Sequence, residues 1–195
     1  MEKRRWHLVA MILLLTISVN YSPGSAEELS LKEQIQIFMK VAEFNKSLLE
    51  KVNNDLRICF VFSEKNDALN DMVMEIDEIF YNMNQANFKV KGKDVKYSIL
   101  LYTSKNDLES QITTLNISAL FLMSAKEDAL PEIASVARNQ NIFTFSGNKD
   151  YFSKGVSVVV DNKAAKPEIF INLKTAKDQG ADFNKALFKI AKTSF

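Results

Sequence analysis

From Ser30 onward, apolar positions follow a helical spacing first and then alternate between strand-like runs and further helical stretches. Ser30-Leu31-Lys32-Glu33 has the form of a capping box, with Ser at the N-cap and Glu three residues on. Behind it Leu31, Ile35, Phe38, Ala42, Leu49 and Val52 recur at helical spacing, with Asn45 at the missing step, so a helix is predicted to about Val52. A second row, Ile37, Val41, Phe44 and Leu48, widens the apolar arc beyond what a surface helix needs. Such a helix either lies deep in a groove of its own domain or gives one row to the domain and the other to a partner or second subunit. Asn45 then either sets register in that contact or faces solvent.

Leu56 to Phe62 is a nearly continuous apolar run, as expected of a central strand covered on both faces. A helix is predicted over Asp67 to Tyr81, then a polar stretch with a small hairpin turning at Gly92, then a strand over Tyr97 to Tyr102. The alternation continues with a helix over Asp107 to Thr113 and a strand at Ala119 to Met123. A helix from about Asp128 to Asn139, with Pro131 in its first turn, and a strand at Asn141 to Phe145 follow. Val156 to Val160 and Glu168 to Ile171 read as an antiparallel hairpin. After it come an Asn172 cap, a helical turn, a break at Gly180 and an amphipathic helix over Ala181 to Lys192. Repeated βα units with a closing hairpin predict an α/β domain of three layers, with a mostly parallel sheet and a long N-terminal helix.

Ahead of this pattern, Lys3-Arg4-Arg5 precedes an apolar stretch from Leu8 to Val19, and Gly24-Ser25-Ala26 offers small residues before Glu27. That is the form of a signal peptide over residues 1–26, cleaved between Ala26 and Glu27. The apolar stretch is too short for a retained membrane span, for which about 20 residues are needed. One domain is expected over residues 27–195, exported to the periplasm, with no stable membrane insertion of the mature chain. The formal charge of +1 falls to about −1 without that leader, which provides no basic face for nucleic acid.

His7 and Trp6 are the only His and Trp, and both precede the expected cleavage point. The mature chain therefore has no imidazole for a catalytic triad, a general base or a metal site, and no cofactor, metal site or catalytic residue is expected. Cys59 is the single cysteine, inside a strand run, and reads as a buried inert thiol that cannot close an internal disulfide.

Polar residues gather where the parallel strands are predicted to end: Ser63, Thr103 and Ser104, Ser124, and Ser146-Gly147-Asn148. In open α/β sheets ligands bind outside the carboxyl ends of the strands. Ser63, Ser104, Ser124, Ser146, Gly147, Asn148 and Tyr151 are thus the candidate ligand or partner loop. The competing reading is plain helix capping, and Ser124-Ala125-Lys126-Glu127 itself has the capping-box form. Ile37, Val41, Phe44 and Leu48 are the candidate dimer or partner helix.

The closing stretch from Lys166 to Phe183, with Glu168-Ile169-Phe170-Ile171-Asn172-Leu173 followed by Gly180 and then Phe183, Leu187, Phe188, Ile190 and Ala191, resembles the end of YfiR/HmsC-like periplasmic proteins. Arg57-Ile58-Cys59-Phe60-Val61 is similar to the first strand of that family. Phe143-Thr144-Phe145-Ser146-Gly147 followed by Gly155-Val156 is similar to a later segment. The resemblance implies a Rossmann-like domain and a non-enzymatic regulator. Its partner would be the periplasmic sensor region of an inner-membrane signalling protein, a diguanylate cyclase that it represses, in control of cyclic di-GMP and biofilm. It also implies homodimerisation, and a small-molecule signal is a further expectation. The best-known members carry disulfides, whereas this chain has only Cys59, so redox control through an internal disulfide does not carry over. The alternative is a periplasmic small-molecule binding protein resembling one lobe of a solute-binding protein.

Overall fold

The structure, a computed structural model, describes residues 29–63, 67–161 and 167–194. The expected leader, with its expected cleavage point between Ala26 and Glu27, lies outside them.

The capping box forms as predicted: the Glu33 amide donates to Ser30 Oγ, and the Ser30 amide donates to the Glu33 carboxylate. The helix it starts, α1 (Leu31–Phe44), stops sooner than its spacing predicts. Asn45 takes an extended conformation, ends α1 and caps a second short helix, α2 (Lys46–Lys51). This corrects both readings of Asn45, which is only 1% exposed. Its Oδ1 accepts from the amides of Leu48 and Asp182 and from the Ser47 hydroxyl. A carboxamide that satisfies this many donors at a buried site outweighs helix continuity there.

Strand β1 (Asp55–Phe62) follows, then α3 (Asp67–Gln85), the two-residue β2 (Lys89–Val90) and β3 (Lys93–Leu101). β2 and β3 form the predicted hairpin around Lys91 and Gly92, both at positive φ, as a tight two-residue turn requires. Next come α4 (Lys105–Leu115), β4 (Ala119–Ser124), α5 (Ala129–Gln140) and β5 (Phe143–Ser146). A 3-10 turn over Lys149–Lys154 leads to β6 (Val158–Asp161), then β7 (Glu168–Asn172) and α6 (Leu173–Asp178).

The amphipathic helix expected over Ala181 to Lys192 is not there. Gly180, at φ 74, breaks the chain as predicted, but an extended segment follows. Phe183 bridges to Asn45, the Asn184 amide donates to the Phe44 carbonyl, and the Lys46 amide donates to the Asp182 carbonyl. After a short turn at Leu187–Lys189, β8 (Ala191–Ser194) pairs in parallel with β7. The Phe183, Leu187, Ile190 spacing suits a helix. However, the broken N-terminal helix offers backbone partners to Asp182 and Asn184, and β7 offers an unpaired edge. Phe183 and Leu187 are still buried, while Ile190 is 55% exposed.

All strands join one sheet in the order β2-β3-β1-β4-β5-β6-β7-β8. β3, β1, β4, β5 and β6 are mutually parallel; β7 runs against β6. One face is covered by α1, α2 and α3 around Phe38, Phe60, Phe80, Phe121, Phe143 and Phe145. The other is covered by α4 and α5 around Val61, Leu108, Ile112, Leu120 and Ile133. Phe38 of α1 lies 5.3–5.7 Å from the rings of Phe121, Phe143 and Phe145, so the helix is seated on the middle of the sheet. Within β1, Cys59 is 1% exposed, and burial pushes its thiol up to about 11 despite the neighbouring Ser98 hydroxyl.

Candidate functional site

The chain runs from β1 outward to β3, then crosses back to β4 on the other side of β1. The switch point of this sheet therefore lies between the carboxyl ends of β1 and β4. Ser63 and Ser124 stand there, as the sequence places them, but the gap is stitched shut. The Ser63 amide donates to the Ser124 carbonyl at 2.7 Å, and the Ser63 hydroxyl accepts from the Lys126 amide. The predicted capping box at Ser124 does not form. α5 begins only at Ala129, five residues after the last residue of the strand, with Asp128 before it making no side-chain cap.

The next loop closes over the same place. The Tyr151 hydroxyl donates to the Ala125 carbonyl at 3.0 Å and accepts from the Ala125 amide at 2.9 Å. Ser146 is fully buried; its hydroxyl donates to the Leu122 carbonyl at 2.8 Å and accepts from the Asn148 amide. Asn148 caps the 3-10 turn through the Asp150 amide. Gly147 lies against the carboxamide of Gln34 of α1, 1.8 Å from where a Cβ would stand, so a larger residue there would require the Gln34 side chain to move. Ser104 stands apart as the exposed N-cap of α4, accepting from the Asp107 amide. The structure thus brings Ser63, Ser124, Ser146, Gly147, Asn148 and Tyr151 to the carboxyl end of the sheet, with the polar atoms of Ser63, Ser146, Asn148 and Tyr151 engaged inside the loops.

On the candidate partner helix, Val41 is fully buried and Leu48 is 5% exposed, both within this chain's own core. Those two positions are corrected: as packed here they are not presented to a partner. Ile37 and Phe44 are half-buried and remain partly accessible beside them.

Two further features were not read from the sequence. Thr144, Ser157 and Gln179, all fully buried, form a polar network. The Thr144 amide and hydroxyl donate to Gln179 Oε1, the Ser157 hydroxyl donates to the Thr144 carbonyl, and Gln179 Nε2 donates to the Gly155 carbonyl. At the amino end of the sheet, a cavity of about 300 Å³ is lined by Leu48, Lys51, Ile112, Asn116, Asn141 and Ile142, among others. Neither carries a local motif, since both assemble residues from distant parts of the chain.

An open, mostly parallel sheet covered by helices on both faces, with its switch point beside the first strand, defines a Rossmann-like α/β domain. Three solved structures share this fold. A conserved domain protein from Vibrio cholerae O1 biovar El Tor aligns with TM-score 0.55 and 13% identity, over 86% of this chain and 61% of its own. The substrate-binding protein CD0873 from Clostridium difficile aligns with TM-score 0.53 and 12% identity, over 85% and 60%. An ABC domain in complex with L-Trp from Streptococcus pneumoniae aligns with TM-score 0.53 and 14% identity, over 84% and 60%. The chain therefore spans about three fifths of each of these proteins, and the likeness is one of fold.

No curated protein matches the sequence. The family is nevertheless clear: residues 34–192 match the YfiR/HmsC-like family, and the chain belongs to it. Membership supports a regulatory rather than catalytic role, in the periplasm. Among the described residues no helix is long and apolar enough to cross a membrane.

Proposed function

We propose that this chain is a non-enzymatic periplasmic regulator. In this reading it binds the sensor region of an inner-membrane diguanylate cyclase and holds it inactive, lowering cyclic di-GMP and restraining biofilm formation. The observation that carries the reading is the family match over residues 34–192. The buried, protonated Cys59 agrees with a regulator whose control is not a thiol switch within this chain. The half-buried Ile37 and Phe44 of α1 are the helix positions left for a partner.

Co-purification of the exported chain with the periplasmic part of a cyclase encoded beside it tests this reading. A stable complex that represses cyclase activity is expected, weakened by Ile37→Glu and Phe44→Glu with the fold retained. A chain that leaves the cyclase fully active and never co-purifies with it removes the proposal.

A second reading, a small-molecule binding protein, is supported by the substrate-binding character of one fold neighbour. A thermal-shift screen addresses it. A ligand that binds the native state at a hundred times its Kd adds about 2.7 kcal/mol, a shift of several degrees. If the ligand sits in the strand-end loops, Ser124→Ala and Asn148→Ala reduce that shift.

A further inference from the structure

The cavity at the amino end of the sheet lies between α2, the chain at Gln179 and Gly180, and the last turns of α4 and α5. Its apolar walls are Leu48, Val52, Ile112, Ile117 and Ile142. Lys51 is the only charged side chain that lines it among the described residues, and no carboxylate does. The ends of α4 and α5 carry partial negative charge, but each is already met by a cation. The Lys51 ammonium donates to the Asn141 carbonyl at 3.4 Å, just after α5, and the Arg57 guanidinium donates to the Leu115 carbonyl at 3.2 Å, at the end of α4.

A buried side chain meets this space with its donors unspent. Asn45 lines the cavity, and the amides of Leu48 and Asp182 fix which end of its carboxamide is the oxygen. Its Nδ2 points away from them and donates to no group among the described residues. Ser98 Oγ is the only fully enclosed polar side-chain atom without a partner among those residues. Nδ2 is therefore not sealed off, and the cavity is where it opens. Lys51 is close by. Its Nζ lies 3.0 Å from where a Cβ on Gly180 would stand, and the Gly180 carbonyl lies 2.6 Å from the Ser47 hydroxyl that also meets Asn45 Oδ1.

We infer that this cavity binds a small organic carboxylate, its head taken by Asn45 Nδ2 and the Lys51 ammonium and its apolar body laid against the walls. Amide and ammonium groups are donors only, so the ligand must bring acceptors. One positive charge with no acidic neighbour in the cavity favours an acceptor that is charged. Water satisfies such an amide but leaves the apolar walls without a partner. A volume of about 300 Å³ is at the small end of ligand pockets, which suits a single ring or a short chain. This deepens the small-molecule reading and moves its site from the strand-end loops to the opposite end of the sheet. Asn45 joins α1, α2 and the chain at Asp182, and the Asn184 amide donates to the Phe44 carbonyl. A ligand held there stabilises the junction beside Phe44, one of the helix positions left for a partner.

Titration of the isotope-labelled exported chain with benzoate, followed through its backbone and side-chain amide resonances, tests this, with benzamide as the uncharged probe and Lys51→Met as the variant. Benzoate is expected to shift the Asn45 side-chain resonances, at about millimolar strength for so small a ligand. Benzamide should bind about tenfold more weakly, and Lys51→Met should weaken benzoate about tenfold while leaving benzamide unchanged. Benzoate shifts confined to Ser124, Asn148 and Tyr151 keep the small-molecule reading and overturn this site. Asn45 resonances that benzoate leaves unmoved, benzoate and benzamide bound equally, or a Lys51→Met chain that binds benzoate at full strength overturn it as well. The cyclase complex is decided separately, by the co-purification.

Discussion

The carboxyl and amino ends of the parallel strands belong to one sheet, yet their polar groups are occupied in opposite ways. At the carboxyl ends, Ser63, Ser146 and Tyr151 are side chains of the type that hold ligands, and each already serves a backbone group of a neighbouring loop. At the amino ends, Asn45 and Lys51 belong to no motif that looks functional. The Asn45 Nδ2 nonetheless has no acceptor among the described residues, and the cavity that both residues line has apolar walls. Side-chain type alone therefore misplaces the surface available for recognition. A hydroxyl bonded within its own loop stabilises the fold, whereas an unspent donor in an apolar cavity can bind.

If that contrast is right, substitutions in the two regions separate by what they change. The largest expected loss of stability is Ser146→Ala, which leaves the Leu122 carbonyl and the Asn148 amide without their partner in a buried setting. It should cost about 1–3 kcal/mol in a denaturant titration. Tyr151→Phe should follow at about 1 kcal/mol, since the half-buried ring stays while both bonds to Ala125 are lost. Lys51→Met should change the stability of the chain by about 0.5 kcal/mol or less, as surface substitutions usually do, and should act on carboxylate binding instead. If Ser146→Ala and Tyr151→Phe prove neutral for stability, the strand-end loops are freer than drawn here and the contrast fails.

The smallest effect concerns acid. The Lys96 ammonium, bonded to Asp55 at 2.6 Å, holds that carboxyl below its ordinary value, with Arg57 adding to the effect and desolvation opposing it. A lowered folded value means the pair's contribution is present above the ordinary aspartate range and is lost as pH falls through the folded value. Because the pair is exposed, its share of acid destabilisation should be slight, and Asp55→Asn should remove it. The pair ties the start of β1 to β3, so it also reports whether β3 is held in register.

Much of the fold could be read from the order of periods along the chain. The continuous run Leu56 to Phe62 and the alternation after it gave a covered parallel sheet, because burial on both faces leaves that signature in sequence. Two elements were misread, for related reasons. The spacing from Leu31 to Val52 does not reveal that Asn45 meets Asp182, and the spacing of Phe183, Leu187 and Ile190 does not reveal the free edge of β7. Each outcome depends on a partner outside the local stretch, Asp182 for Asn45 and β7 for β8, which local periodicity cannot register. The positions of the strand-end residues were legible from the ends of the apolar runs. Their engagement was not, since Tyr151 reaches Ala125 and Ser146 reaches Leu122 only across the folded sheet.

Amide hydrogen exchange, resolved by residue and measured with and without saturating benzoate, compares the two regions in one experiment. The amides of Ala125, Lys126 and Asn148 should be protected in both conditions, because Tyr151, Ser63 and Ser146 accept from them within the single chain. Those of Leu48 and Asp182, which Asn45 Oδ1 holds, should slow markedly when benzoate is present. Leu48 and Asp182 amides that benzoate leaves unchanged, or strand-end amides that exchange as fast as an unfolded chain, would contradict the account.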